Sequence, residues 1–296
     1  GKISMLIDVH AHIGRIVLDR REFMDAANLI ARMDAWRIDR ACVLPVCEHS
    51  EAPYLEAYTA DVLAACALYP KRLIPFCLVD PRFAGNHPQA DFRFLLEEYR
   101  ARGCRGLGEM LPKLDFDDPR ALNLYRQAAE FGFPVLFDLH DTDTSYGLRD
   151  GPGLPRLERA LRECPDTVFI GHGPTFWAEI SADCPPDERC VYPKGPVKPG
   201  GAVPRLMRAY PKLWADLSAG SGYNALSRDG AFGRRFLEEF QDRLLFGTDS
   251  CRRSDLERGV PIVPFFHALR DNAAFPPEAW EKIAWKNAAR LLRLEV

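Results

Sequence analysis

Residues 7–14 of the chain read IDVHAHIG, a short apolar run that carries two histidines two positions apart. Neighbouring side chains on a β-strand point to opposite faces, so a strand here would place His10 and His12 on one face, with Asp8 one step below them. Paired imidazoles are typical of a divalent-metal site and are uncommon in an apolar core. Two surface histidines at a strand end are the alternative, which the rest of the sequence must decide.

The composition is that of a globular chain with enough apolar residues for a large core. Of 296 residues, 47% are hydrophobic and 27% are charged, and the formal net charge is -3. That balance gives no reason to expect nucleic acid or an anionic membrane as a partner. No apolar run approaches the roughly 18–20 residues of a membrane span. The nine cysteines are scattered and odd in number, which predicts reduced thiols and a cytoplasmic protein.

Eight short apolar runs alternate with helical patterns along the chain. The runs are at 4–12, 40–46, 72–80, 104–111, 134–140, 167–173, 212–219 and 243–250. The helical patterns are at 21–37, 54–69, 88–101, 119–131, 155–164, 201–210, 228–240, 259–271 and 277–293. Strands separated by helices of this length form parallel sheets with helical crossovers. Eight such units predict a single (β/α)8 TIM-barrel domain over residues 1–296, in preference to an open doubly wound sheet.

Proline and glycine set two boundaries in this pattern. Asp118 followed by Pro119 predicts an N-cap and the first residue of the helix at 119–131. The segment 174–200 is too rich in Pro and Gly for a regular element, so we expect a long loop after strand 6. Loops of this length in compact domains are usually functional or disordered. We expect this one to lie over the C-terminal mouth of the barrel as a partial lid.

In such a barrel the active site forms at the C-terminal ends of the strands. Residues that bind metals or transfer protons close most of the predicted strands, namely His10, His12, Glu109, His140, His172 and Asp249. Imidazole nitrogens and carboxylate oxygens suit Zn²⁺ or a similar divalent ion. Any one of these residues could be an ordinary polar residue of its loop, but together they predict a metal site. Asp8 and Asp138 lie one layer lower, where each could accept a hydrogen bond from a ligand or simply fill the barrel mouth.

Four features of the sequence resemble the amidohydrolase superfamily. They are the motif DVHAH near the start, His140 closing strand 5, GHG closing strand 6 and GTDS closing strand 8. The likeness is to the amidohydrolase-2 branch, related to aminocarboxymuconate semialdehyde decarboxylase, and it covers nearly the whole chain. It implies a divalent metal with four protein ligands, which are His10, His12, His140 and Asp249. His172 matches a histidine that binds the second metal in binuclear members and acts as an acid, a base or a water-orienting group in mononuclear ones.

Glu109 departs from a common pattern of this superfamily. Many binuclear members carry a carboxylated lysine at the end of strand 4, where it bridges two metals, whereas this chain reads GLGEM there. The resemblance implies that a glutamate can bridge two ions as an unmodified carboxylate. The alternative is that Glu109 points away or orients a histidine from outside the ligand set. The sequence therefore predicts one or two ions per chain, most simply zinc.

Several residues on the predicted catalytic rim are candidates for substrate binding. Arg15 follows strand 1, where a guanidinium could hold a substrate carboxylate. Trp177, next to Phe176 just past strand 6, could form an apolar wall or could pin the loop to the barrel. Tyr192 and Lys194 lie in the stretch YPKGPVKPG, whose prolines would fix a cation suited to an anionic substrate. For Arg15 and Lys194, a solvated surface side chain is the alternative.

The leading functional hypothesis is a metal-dependent hydrolase, in which a metal-activated water attacks an ester, lactone or amide carbonyl of a small anionic molecule. Asp249 would take the proton of that water and pass it to the leaving group, and His172 would polarise or orient the reacting groups. A non-oxidative decarboxylase of a small carboxylic acid is the alternative. A complete binuclear ligand set would favour hydrolysis, whereas a single metal with Glu109 outside its ligands would keep decarboxylation open. A metal-stabilised scaffold without turnover is disfavoured, because structural zinc sites are rich in cysteine. The partner expected is a small molecule, and a homodimer is compatible with the sequence.

Overall fold

The computed structural model describes residues 5–17, 19–49, 51, 55–140 and 146–296. Eight parallel strands form its centre, each inside one of the predicted apolar runs. We refer to them as barrel strands 1 to 8, and their bounds are Ile7–Ala11, Arg40–Val43, Leu73–Pro75, Leu107–Met110, Val135–Asp138, Phe169–His172, Leu213–Asp216 and Leu244–Leu245.

Backbone hydrogen bonds join these strands in sequence order. Barrel strands 1–3 form one sheet and barrel strands 4–8 form another. The two sheets meet between strands 3 and 4, where Cys77 N donates to Gly106 O at 3.0 Å. They meet again between strands 8 and 1, where Val9 N donates to Phe246 O at 3.0 Å. The fold is therefore the predicted (β/α)8 barrel.

Helices connect and surround the strands. The helices and helical turns are Ala26–Trp36, Thr59–Leu68, Phe83–Asn86, Arg93–Ala101, Pro119–Glu130, Pro155–Glu163, Pro174–Ala178, Ala202–Ala209, Ala219–Ser227, Gly230–Glu239, Asp255–Arg258, Ile262–Asp271, Pro277–Glu281 and Asn287–Leu292, with a 3₁₀ turn at Pro186–Glu188 and a π-turn at Lys282–Lys286. The predicted start of the helix at Pro119 is confirmed, because the Asp118 side chain accepts a hydrogen bond from Arg120 N at 2.9 Å. Within the described residues, every helix is too short or too polar to span a bilayer.

The structure differs from the predicted elements after barrel strand 1. Residues 21–24, predicted as the start of a helix, belong to the strand Asp19–Met24, which joins Gly14–Ile16 and Leu55–Glu56 in a small antiparallel sheet. The helix begins later, at Ala26, because the Asp25 side chain caps it by accepting from the N–H of Asn28 at 2.7 Å. The prediction of a helix from residue 21 was therefore wrong by about one and a half turns.

Besides the short turns Phe83–Asn86, Pro186–Glu188 and Asp255–Arg258, two further helices were not predicted. Pro174–Ala178 lies in the segment expected to have no regular element, and Pro174 suits the first position of a helix. Ala219–Ser227 contains two glycines and two serines, which are weak helix formers. Close packing requires one of these glycines, since a Cβ on Gly222 would lie 2.3 Å from Leu217 O. Residues 189–200 contain no regular element, as predicted.

The alternation of side chains along the strands places polar groups at one end of the barrel. In strands 5, 6 and 7 the residues Leu136, Ile170 and Trp214 belong to the apolar cluster inside the barrel. Two positions later on the same strands come Asp138, His172 and Asp216, which therefore face the same interior one layer higher. The C-terminal mouth is thus lined by ionisable side chains above an apolar floor.

A buried carboxylate connects strands 8 and 1. Asp8 Oδ1 accepts hydrogen bonds from the backbone N–H groups of His10 and Thr248, both at 2.9 Å, and Oδ2 accepts from Thr248 Oγ1 at 2.6 Å. Asp8 thus bonds to the backbone of His10 and not to its ring. This contact fixes the two strand ends that carry His10 and Asp249 relative to each other.

The substitution Thr248→Val removes the hydroxyl that Asp8 Oδ2 accepts from and leaves a buried oxygen without that partner. We expect a loss of about 1–3 kcal/mol in the free energy of unfolding, measured by urea denaturation. Thr248→Ser keeps the hydroxyl and is the matched control, with a smaller loss. Equal stability of the valine and serine variants would contradict a structural role for this hydrogen bond.

Candidate metal centre

Four side-chain atoms from three strand ends meet at the C-terminal mouth. The Nε2 atoms of His10 and His12 lie 3.0 Å apart. Glu109 Oε2 lies 3.2 Å and 3.3 Å from these two nitrogens, and Asp249 Oδ1 lies 3.3 Å and 3.2 Å from them. Four ligands arranged tetrahedrally around zinc at about 2.0 Å are separated from one another by roughly 3.3 Å. The spacing of the four atoms therefore fits a single divalent ion.

Hydrogen bonds on the far side of each imidazole fix which nitrogen faces this centre. His12 Nδ1 lies 2.8 Å from Leu44 O, and His10 Nδ1 lies 2.6 Å from Asp216 Oδ2. Since both partners are acceptors, each Nδ1 carries the hydrogen, and in the neutral ring Nε2 carries a lone pair. Metal-binding histidines in proteins are oriented in this way. Two lone pairs and two carboxylate oxygens then converge, which is the donor set that a cation requires.

The charges of the cluster confirm that its members depend on one another. Burial raises the pKa of Glu109, but the neighbouring charge of His10 and hydrogen bonds from both histidines hold it well below its usual range. Burial lowers the pKa of His12, yet hydrogen bonds to Asp249 and Glu109 raise it to about 9. The raised pKa favours the protonated form of His12, and a divalent ion would compete with that proton on binding.

Asp249 is held in an unusual backbone conformation. Its φ of 54° lies in the left-handed region, where aspartate is one of the few side chains that are tolerated. Its N–H donates to His10 O at 2.7 Å, which holds the turn after strand 8 against strand 1. The side chain is 24% exposed, whereas the side chains of the other three residues are at most 2% exposed. Asp249 is thus the member of the four that substrate and solvent can reach.

Asp216, at the end of strand 7, was missed by the sequence analysis. Its Oδ2 lies 2.6 Å from His10 Nδ1 and 3.2 Å from His172 Nδ1, and it accepts from Ser218 Oγ at 2.8 Å. Burial opposes its ionisation, but the charge of His10 and these hydrogen bonds hold its pKa well below the usual range. One ionised carboxylate therefore orients two histidines. The alternation along LWAD, with Trp214 inside the barrel, is the signal that could have identified it.

His172 lies beside the four-atom cluster. Its Nε2 is 3.6 Å from Asp249 Oδ2 and 3.7 Å from Glu109 Oε1. Its ring centroid lies 4.4 Å from that of His10. The histidine predicted at the end of strand 6 is thus brought to the same site as His10, His12, Glu109 and Asp249.

The remaining predicted ligand, His140, has other neighbours among the contacts that the structure describes. Its ring packs edge-on against Tyr146, with centroids 5.5 Å apart, and its carbonyl accepts from Lys113 Nζ at 3.0 Å. Strand 5 ends at Asp138, and His140 lies two residues beyond it. Across the described parts of the chain, the clusters of ligand atoms that lie within 4.8 Å of one another do not include His140, whereas one of them contains Asp138 with Glu109 and His172. Burial and repulsion from Glu109 raise the pKa of Asp138 to about 7.

The predicted substrate-binding residues lie in different environments. Trp177 is buried, and its Nε1 donates to Asp216 O at 3.1 Å, so the structure gives it a packing role below the rim. Tyr192 is half exposed, and its pKa is raised by burial and by the negative charges of Asp249 and Asp138. Its ring packs on Gly220, where a Cβ would lie 2.7 Å from it. Part of the 174–200 segment thus reaches the site.

The two predicted cations of the rim are exposed. Arg15 belongs to the small antiparallel sheet, and its guanidinium lies 5.7 Å from the ring centroid of Phe23. Lys194 lies in the irregular part of the segment that follows strand 6. Both stay predictions for substrate binding.

His12→Ala removes one nitrogen ligand while leaving the buried carboxylates in place. We expect the metal content after dialysis, measured by inductively coupled plasma mass spectrometry, to fall from at least one ion per chain to a small fraction. His267→Ala is the control, because His267 lies elsewhere and bonds to Trp36 O. Full occupancy in the His12 variant would show that the wrong ligands have been assigned.

Asp216→Asn keeps the size of the side chain but removes the charge that orients His10 and His172. Because changes to residues that orient metal ligands typically cost about 10–100-fold, we expect metal affinity to fall by that factor. Competition with a chromophoric chelator measures the affinity. The exposed Asp91→Asn provides a matched control, and an unchanged affinity in Asp216→Asn would exclude the orienting role.

Comparisons with known proteins identify the family and the fold. A protein-family model described as Amidohydrolase matches residues 7–294. A search of curated proteins gives no significant match. A solved structure of a probable 2-pyrone-4,6-dicarboxylic acid hydrolase from Acinetobacter baumannii, with citric acid bound, is 14% identical, with a TM-score of 0.63 over 98% of this chain and 99% of that chain.

Two decarboxylase structures are similar to the same extent. The 5-carboxyvanillate decarboxylase of Sphingomonas paucimobilis is 12% identical, with a TM-score of 0.63 over 99% of this chain and 100% of that chain. A dihydroxybenzoic acid decarboxylase from Polaromonas sp., with bound manganese and the inhibitor 2-nitroresorcinol, is 16% identical, with a TM-score of 0.63 over 99% and 98% of the two chains. At these identities the likeness shows a shared fold. The family model covers nearly the whole sequence and confirms the resemblance found in its motifs: the chain belongs to the amidohydrolase-2 family and is an enzyme of the amidohydrolase superfamily.

Proposed function

We propose that this chain is a metal-dependent hydrolase that cleaves an ester, lactone or amide bond of a small substrate. The observation that carries the proposal is the position of Glu109. Its Oε2 lies within 3.3 Å of the Nε2 atoms of both His10 and His12, inside the ligand cluster. Its Oε1 lies 3.7 Å from His172 Nε2, so the carboxylate faces both positions of the binuclear ligand set that would favour hydrolysis.

His10, His12, Glu109 and Asp249 would hold the divalent ion. Such an ion polarises a carbonyl oxygen and lowers the pKa of bound water towards neutrality. Imidazole and carboxylate ligands suit zinc, and they also suit manganese, which is bound in the Polaromonas decarboxylase structure. The identity of the metal is therefore part of the test.

The two oxygens of Asp249 face different partners. Oδ1 lies 3.3 Å and 3.2 Å from the nitrogens of His10 and His12, whereas Oδ2 faces His172 at 3.6 Å. We assign proton transfer to Oδ2, since Oδ1 is committed to the cluster. Asp249 accepts the proton of the attacking water as the new C–O bond forms. It returns that proton to the oxygen or nitrogen that leaves as the scissile bond breaks.

His172 is oriented to act on the substrate. Its Nδ1 lies 3.2 Å from Asp216 Oδ2 and 3.1 Å from Ser218 Oγ, so the ring is held from behind. Nε2 then faces the same space as Asp249 Oδ2. A histidine in this position can hold the reacting carbonyl or water in line with Asp249.

Residues of the rim would limit access and select the substrate. Tyr192 lies near the site carboxylates and would exclude water from one side of the opening. The exposed cations Arg15 and Lys194 would favour a substrate that carries a negative charge. We therefore expect a small anionic molecule, such as a lactone or an ester that also carries a carboxylate.

Non-oxidative decarboxylation is the second candidate. It is supported by the two similar structures that are described as decarboxylases. The same residues would then bind a carboxylic acid, a C–C bond would break to release CO₂, and a proton would be delivered to the carbon. The two candidates differ in product, so a product assay separates them.

The experiment supplies the metal-loaded enzyme with a panel of lactones, esters, amides and aromatic carboxylates. We expect a hydrolytic product without release of CO₂. Asp249→Asn keeps the shape of the side chain but cannot accept the proton, so its rate should fall by at least about 10²–10⁴. The rate is measured at matched metal content, so that loss of the ion is not mistaken for loss of the base.

Asp271→Asn is the control, because Asp271 is exposed and pairs only with the adjacent Arg270 among the contacts of the described chain. CO₂ released in equal amount to a consumed carboxylate, with no hydrolytic product, would establish the decarboxylase instead. Undiminished hydrolysis by metal-loaded Asp249→Asn would contradict its role as the base.

A further inference from the structure

We propose that Arg32 is a positioning residue of the metal centre, whose guanidinium holds the backbone turn that carries Asp249 against the strand end that carries His12. Arg32 belongs to the helix Ala26–Trp36, in the layer outside the barrel strands, and to none of the motifs that mark the site in the sequence. This inference rests on the proposed function, because it concerns the same centre.

Arg32 occupies a position at which its helix would accept an apolar residue. The buried face of this helix is formed by Ala26, Leu29, Arg32 and Met33. Arg32 is only 2% exposed, although arginine is almost never fully buried unless it is paired. A leucine or methionine would satisfy the same face of the helix. The reason for an arginine therefore lies in what the guanidinium contacts.

The guanidinium contacts the residue that follows Asp249. Arg32 Nη2 donates to Ser250 O at 3.0 Å. The same oxygen accepts from the N–H of His12 at 3.3 Å. One carbonyl oxygen thus connects the backbone of His12 to the turn that carries Asp249, and Arg32 holds that oxygen from the side of the helix.

Asp249 lies between two backbone contacts. Its own N–H donates to His10 O at 2.7 Å, and the carbonyl of the next residue accepts from Arg32. Between these contacts the backbone of Asp249 has a φ of 54°. Aspartate tolerates this left-handed conformation but does not favour it, so the turn depends on the contacts at both of its ends. Loss of the contact from Arg32 would let the turn, and the carboxylate that it carries, move away from the centre.

The stability of the fold alone does not account for Arg32. Burial lowers the pKa of Arg32, whereas the nearby negative charges of Asp8 and Asp255 raise it. Its Cζ lies 5.4 Å from the ring centroid of Trp36, but among the described residues Nη1 is buried without a hydrogen-bond partner. A buried donor without a partner costs free energy. Replacing a buried charge by an apolar side chain of similar size is often neutral or stabilising.

Arg32→Met tests the assignment, because methionine fits an apolar helix face but cannot donate to Ser250 O. Amide hydrogen exchange, followed by NMR on the metal-free protein, reports opening of the turn. We expect the exchange rate of the Asp249 amide to rise about 10–100-fold, the effect of losing a hydrogen bond from a charged donor. This rate is compared with that of Ile170 in strand 6, so that a general loss of stability is not mistaken for opening of the turn.

The second readout of Arg32→Met is metal affinity, measured by competition with a chromophoric chelator. Residues that orient metal ligands typically contribute about 10–100-fold, and we expect the affinity to fall by that factor. Met33→Ala is the matched control, because Met33 is buried on the same face of the same helix and its truncation leaves a cavity. That variant should unfold at a lower urea concentration, with unchanged metal affinity and an unchanged ratio of the two exchange rates.

Arg32→Lys keeps the charge on a shorter side chain and provides the test if the methionine variant does not fold. It should change both readouts in the same direction as Arg32→Met, by a smaller factor. Unchanged values in folded Arg32→Met or Arg32→Lys, or equal changes in Met33→Ala, would overturn the positioning role. Failure of the unaltered chain to bind any ion would reject the metal centre of the proposed function, whereas the exchange rates would still decide whether Arg32 holds the turn.

Discussion

The buried contact between His10 Nδ1 and Asp216 Oδ2, 2.6 Å long, decides which nitrogen of His10 faces the site. Because Nδ1 of His10 donates its hydrogen to Asp216, Nε2 of His10 faces three other atoms that carry lone pairs, at 3.0–3.3 Å. The same carboxylate contacts His172, so one residue outside the ligand cluster orients two histidines. The arrangement is stable only if protons or a cation lie between the converging donors, and a divalent ion at this point is the interpretation that we propose.

The barrel supplies the precision that this arrangement needs. Strands 8 and 1 are fixed to each other by Asp8, which bonds to the backbone of both, and by the N–H of Asp249 on His10 O. The contacts that close the barrel between strands 8 and 1 therefore also position Asp249. Its left-handed backbone turns it into the mouth, where it is the most accessible member of the four-atom cluster. One oxygen of Asp249 completes the cluster, and the other is the oxygen to which we assign proton transfer.

The sequence predicts this protein well where a regular pattern controls the outcome. The period-two alternation of DVHAH and the repeated strand–helix intervals predict the barrel and the convergence of His10 and His12 with Asp249. The sequence does not predict where strand 5 ends. Asp138 and His140 are two residues apart and would share a face of a longer strand, but the strand ends at Asp138 and His140 lies in the chain beyond it. Asp216 escaped notice because it carries no motif, and helix 219–227 because packing overrides the weak helix propensity of its glycines and serines.

The central claim is that the ends of strands 1, 4 and 8 assemble one metal centre. Anomalous diffraction from crystals of the metal-loaded protein, recorded on both sides of the absorption edge of the bound metal, tests it most directly. We predict a strong peak within about 2.0–2.2 Å of His10 Nε2, His12 Nε2, a Glu109 oxygen and an Asp249 oxygen. A fully loaded crystal whose metal peak lies on other residues, with these four side chains coordinating no ion, would contradict the account.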